Sequence, residues 1–251
     1  MTKKSLILLL VLLLLPAASL ADPLHLSEDL SETVTVPYDE QDPAAGSYVY
    51  SFRYPHADPA DPRAYLINEF YEYLASDTKA NTIPNLADYY AGIRTPASVT
   101  IDYEVTCSND DYFSVRIHKT ENADGEMFET WEGNTFSLQN GMPGTSCTLS
   151  HILGLVEIGE TDNWIGDRQD SKVREAVYTL IWDRIQKNAE GVAYHKDLVR
   201  EDVDSLLIAE QDFWLDASGN PVFFILPGWA ADESEGLLTF SVSLEEIDDE
   251  I

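Results

Sequence analysis

Basic residues are scarce in this 251-residue chain, with 15 Lys and Arg set against 45 Asp and Glu for a net charge of -30. A polyanion would be repelled rather than neutralised, so nucleic acid is excluded as a partner, and anionic lipid headgroups are disfavoured for the same reason. Cysteine is almost absent, represented by Cys107 and Cys147 alone. Histidine is sparse as well, and His25, His56, His118, His151 and His195 show no metal-ligand spacing. Zinc is therefore not expected. Long apolar runs are missing after residue 21, where no stretch approaches the ~18 residues of a membrane-spanning helix. Catalytic motifs are missing too. Gly144-Thr145-Ser146-Cys147 is not a nucleophile elbow, and no Ser or Cys stands in a recognisable relation to a base.

What the chain does carry begins at its first residues. Lys3 and Lys4 precede an apolar run from Leu6 to Leu15, followed by Pro16, Ala17, Ala18, Ser19 and Ala21. This is the pattern of a secretory signal peptide over residues 1–21, with cleavage expected between Ala21 and Asp22. The mature protein is then expected to be secreted or extracytoplasmic, at the cell envelope. In such a compartment the even cysteine count makes a Cys107–Cys147 disulfide the default. Its ring of about 41 residues would be worth roughly 4 kcal/mol in the chain-entropy model, with two buried free thiols as the alternative.

A hydrophobic content of 44% with 11% aromatics argues for a folded chain. Residues 22–46 read as an acidic, extended leader with an edge strand near Val34 to Val36. The folded domain is expected over 47–251, and a division into 47–98 and 99–251 is left open. Tyr48, Tyr50 and Phe52 alternate with polar or smaller residues, as in a strand ending at Tyr54-Pro55. Asp61-Pro62 should open a helix, with Leu66, Phe70, Tyr73 and Leu74 as its apolar stripe packed on a sheet. Val99 to Val105 and Phe113 to Ile117 make a hairpin about Ser108–Asp111. Two short strands are expected at Met127–Trp131 and Thr135–Leu138, joined through Gly133-Asn134, with a stop at Asn140-Gly141.

A short helix should start at Thr148. Asp170 or Ser171 should cap a longer one carrying Val173, Val177, Leu180, Ile181 and Ile185. Strands return at Asp212–Leu215, Val222–Leu226 and Leu238–Val242. Hairpins with few interspersed helices imply an α+β fold built on a mostly antiparallel sheet.

Carboxylates are too abundant for any pair to be specific, which leaves a secreted glycan-active enzyme using acidic residues as the alternative function. Asp162, Asn163, Asp167 and Asp170 do not follow the EF-hand order, and a solvated loop with a helix cap explains them better. No metal and no cofactor is expected. The loop from Pro227 to Gly236 is different in kind, because it sets Trp229 beside Asp232, Glu233 and Glu235 between two strands. An aromatic anchor among acids suits a cationic protein, the alternative being a Trp229 tucked under the sheet with acids that are only solvated.

Two stretches also carry a family resemblance. Asn109-Asp110-Asp111-Tyr112-Phe113-Ser114-Val115, then Asn134-Thr135-Phe136-Ser137-Leu138, Asn140-Gly141 and Leu149-Ser150-His151-Ile152-Leu153 resemble the core of the extracytoplasmic RsiV/PdaC-like domain family. Phe213-Trp214-Leu215 to Val222-Phe223-Phe224, then Leu238-Thr239-Phe240 and Leu244-Glu245-Glu246-Ile247, are similar to its closing strands and final turn. The family includes the sensor domain of an anti-sigma factor that receives lysozyme and an accessory domain of a peptidoglycan deacetylase. The resemblance implies an α+β domain without catalytic residues of its own. Its partner would be a cationic protein of lysozyme type or cell-wall material.

Overall fold

The computed structural model describes residues 23–39, 41–93, 96–139, 143–156 and 166–251. The signal segment, the cleavage pair Ala21 and Asp22, the Asn140-Gly141 stop, and Asp162 and Asn163 lie outside them. The fold is α+β. A curled six-stranded sheet runs in the order β1 (Leu30–Pro37), β2 (Ser47–Tyr54), β3 (Ala97–Ser108), β4 (Tyr112–Ala123), β5 (Glu126–Ser137) and β6 (Thr145–Ser146). All its neighbours are antiparallel except β2 and β3. A parallel pair needs a long crossover, and here it holds α1 (Tyr65–Asp77), a π-helical turn at Thr78–Thr82 and α2 (Ile83–Ile93).

One face of this sheet is a core of aromatic side chains. Tyr48, Tyr50, Phe52 and Tyr54 project from β2 to the same side and are all buried. Helix α1 lies on them, with the Tyr71 ring 6.0 Å from Tyr54 and 5.8 Å from Phe136. Its buried stripe is Ile67, Asn68, Tyr71 and Ala75, not the expected one, and Tyr73 is 71% exposed. The reason is Asn68, whose side chain accepts from Ala57 N at 2.8 Å and donates to Ala57 O at 3.0 Å. A fully satisfied polar residue belongs in the core and breaks the apolar period. The helix also starts later than Asp61 suggests. Asp61 heads a turn instead, accepting from Arg63 N at 2.9 Å and pairing with the Arg63 guanidinium at 2.7 Å.

The two short strands expected around Gly133 are one continuous strand, β5. The turn that feeds it is Asp124-Gly125, with both residues at positive φ (56° and 84°), as a two-residue hairpin of primed type requires. In β3 the register shifts between Val105 and Cys107. Such a bulge turns the following residues to the other face, and Cys107 consequently sits opposite Ser114 in a second core.

That second core is built by α3 (Leu149–Ile152), α4 (Gly166–Lys187), α5 (Arg200–Leu206), α6 (Leu244–Glu250) and a three-stranded antiparallel sheet in the order β7 (Phe213–Leu215), β8 (Pro221–Ile225), β9 (Leu238–Ser241). Helix α4 carries the expected apolar residues, although its first turn begins before Asp170. The expected Cys107–Cys147 bridge is not formed. Both are free, buried thiols. Asn109 Nδ2 approaches Cys107 Sγ at 3.4 Å, and Cys147 Sγ lies 3.5 Å from Thr145 O, so each sulfur has its own polar neighbour.

Strand β7 joins the two sheets by lying against the back of the β4–β5 hairpin. Leu215 N donates to Ser114 Oγ at 2.9 Å, and the Ser114 and Thr135 hydroxyls share a hydrogen bond of 2.8 Å. Further along the same face, the Arg116 guanidinium covers the Trp214 ring and His118 stacks on Trp131 at 4.4 Å. His118 is therefore shielded on one side, with Glu129 at 3.1 Å from its Nε2.

Candidate binding surface

The loop between β8 and β9 is held in place by the segment after α4. His195 N donates to Ala230 O at 3.0 Å, Tyr194 bridges to Ala231, and His195 Nε2 donates to Gly228 O at 3.3 Å. Ala230 and Ala231 are buried by this docking, while Gly228 turns the chain at φ 80°. The neighbouring side chain is thereby pushed outward. Trp229 is 50% exposed rather than tucked under the sheet.

The three acids follow directly. Asp232, Glu233 and Glu235 are exposed on a 3₁₀ turn over Glu233–Glu235. Glu235 accepts from Ala193 N at 3.3 Å, which fixes that end of the loop. The structure therefore places all four expected residues on one solvent-facing loop.

Beside the loop lies a cleft of about 530 Å³, lined on one side by Leu237–Ser241 and on the other by Arg184, Lys187, Glu190, Val192 and Tyr194. Arg184 is held at 2.9 Å by Glu246. The Glu246 carboxyl is kept below its ordinary range chiefly by the Ser243 backbone N–H, then by the Ser243 hydroxyl and Arg184. Burial raises the Tyr194 hydroxyl, and the charges of Glu190 and Glu235 raise it further. These two acids thus converge on Tyr194. Sequence reading missed this cleft because its walls come from two segments far apart in the chain, 184–194 and 235–241, neither of which carries a motif.

A second cleft, of about 330 Å³, is lined by Glu132, Cys147, Glu210 and Asp212 among others. Glu210 is occupied by Ser150, accepting from its N at 2.9 Å and its Oγ at 2.6 Å. Asp212 is raised by burial, against the lowering influence of the Ile208 N–H. Among the described residues no group of His, Cys, Asp and Glu is placed to hold a metal ion.

No protein-family profile and no curated protein matches the sequence. Solved structures do. The chain is similar to a DUF3298-family protein from Bacteroides fragilis, with a TM-score of 0.50 and 12% identity over 90% of this chain and 94% of that one. It shares the fold. A DUF3298-family protein from Pseudomonas aeruginosa gives a TM-score of 0.47 and 10% identity over the same shares. DUF3298 proteins are related to the RsiV/PdaC-like domains that the sequence resembles. At this identity the likeness concerns architecture alone.

Proposed function

We propose that the protein is an exported, non-catalytic binding domain that recognises a cationic protein of lysozyme type, or a basic component of the cell envelope, through the Pro227–Gly236 loop. The observation carrying this reading is Trp229, half exposed on a loop whose backbone is pinned at both ends. An aromatic side chain on a pinned backbone has only two torsions to fix on burial and makes an effective anchor. Around it, Asp232, Glu233 and Glu235 add local negative charge to a chain of net -30, which would speed encounter with a basic partner. The signal-peptide pattern over residues 1–21 supplies the matching location. Charge reversal of Asp232, Glu233 and Glu235 together tests the reading. Retention of lysozyme on the immobilised protein at low salt should drop at least tenfold, and unchanged retention would count against it.

A second reading, a secreted enzyme acting on cell-wall glycan, would draw on Asp212. Its carboxyl, raised by burial, lines the same cleft as Glu132 and Glu210, and a raised carboxyl is what a general acid needs. Turnover of peptidoglycan that vanishes in Asp212→Asn would favour it.

A further inference from the structure

We infer that the free edge of β9 is a docking site for an extended segment of a basic partner, added as a fourth strand to the β7–β8–β9 sheet. The inference rests on the cation-recognition reading above and gives that partner a backbone contact.

In an antiparallel pair, alternate residues exchange hydrogen bonds with the neighbouring strand while those between them point away. Val242 N donates to Pro221 O at 3.0 Å, and the register sets Phe240 opposite Phe223 and Leu238 opposite Ile225. Residues 238, 240 and 242 therefore bond toward β8. Thr239 and Ser241 direct their N–H and C=O groups outward, and among the described residues β9 has no other strand beside it. Both residues are exposed. Edge strands are ordinarily guarded by shortness, proline, charge, a bulge or a covering element, and of the sequence-borne guards β9 has only its four-residue length. Strand β9 reads Leu-Thr-Phe-Ser, without proline or charge, and its neighbour on that side is the 530 Å³ cleft. The outer strand β1, by comparison, ends in Pro37 and carries Glu32 paired with Lys79.

Strand addition takes its affinity from the main chain and its selectivity from alternate side chains. Residues paired with Leu238 and Phe240 would face the core side and should be apolar, while those paired with Thr239 and Ser241 would face solvent. Charge decides the second set. Arg184 is matched by Glu246, so Glu190 and Glu235 outweigh Lys187 on the cleft walls, within a chain of net -30. Basic side chains alternating with apolar ones fit this edge.

The probe is a nine-residue peptide alternating lysine and valine, added to the mature protein at low salt while amide exchange is followed by NMR. Exchange at the Thr239 and Ser241 amides should slow at least tenfold. The same peptide N-methylated throughout, and a glutamate–valine counterpart, should leave both amides unprotected. Absence of protection at Thr239 and Ser241, or equal protection by either control peptide, overturns the inference. Binding of the N-methylated peptide that is lost in Trp229→Ala overturns strand addition while leaving the cationic reading of the loop in place.

Discussion

The carbonyl oxygen of Phe213 lies 1.7 Å from the point that a Cβ on Gly133 would occupy. Strand β7 can rest on β5 only because Gly133 has no side chain, and the obstructing atom is backbone, which cannot swing aside. Gly133→Ala should therefore separate the two sheets locally and cost about 3 kcal/mol or more, at the upper end of overpacking effects. Gly92→Ala is the control, since nothing lies within 4 Å of its added Cβ and alanine favours a helix. Urea unfolding midpoints should fall for the first variant and stay level or rise for the second.

The same sheet junction depends on Ser114, whose buried hydroxyl serves both Leu215 N and Thr135. Ser114→Ala would strand a buried N–H and should cost ~1–3 kcal/mol. Ser51→Ala removes only an exposed bond to Thr33 and should change stability by less than ~0.5 kcal/mol. Equal effects in the two variants would contradict the role given to Ser114.

Burial pushes the Cys107 and Cys147 thiols up to about 11, far from the reactive thiolate range. The folded protein should resist a thiol-specific reagent at pH 8, and unfolding without reductant should release two reactive thiols. No reactive thiol after unfolding would mean that the protein carries the Cys107–Cys147 bridge instead.

Acid stability should respond to Asp61 and Asp212 in opposite directions. The Arg63 guanidinium holds the Asp61 carboxyl below its ordinary value of 3.8, so this residue stabilises the fold above that pH. Its contribution is lost as pH falls through the depressed value. Asp61→Asn should flatten the acid limb of the stability curve. Asp212, raised by burial, costs stability as pH climbs past 3.8, because the folded state holds its proton longer than the unfolded one. Asp212→Asn should leave the protein as stable or more stable at pH 7, as read from thermal midpoints at several pH values.

Alternation made β2, the β3–β4 hairpin and β9 legible in the sequence, because these strands bury a regular set of positions, whereas β8 was legible as a continuous apolar run that is buried almost throughout. The 3.6-residue period likewise revealed α4. Failures fell where tertiary contact overrides the local signal. Asn68 hides the stripe of α1 behind a polar residue, and Gly133 resembles a turn but is a strand position stripped of its side chain for β7. The crossover from Thr78 to Ile93 has no strong cap or period to announce its π turn. Trp229 and its acids were legible as a loop between strands. Their relation to the cleft and the β9 edge was not, since it depends on how residues 184–194 fold back.

The most direct measurement is a calorimetric titration of the protein with lysozyme between 20 mM and 1 M salt, repeated with Trp229→Ala. Affinity should fall as the Debye length shrinks toward ~3 Å. Trp229→Ala should weaken binding at low salt by about 30-fold, or ~2 kcal/mol. No heat of binding at low salt, or a Kd indifferent to both salt and Trp229→Ala, would contradict a cation-recognising surface at this loop.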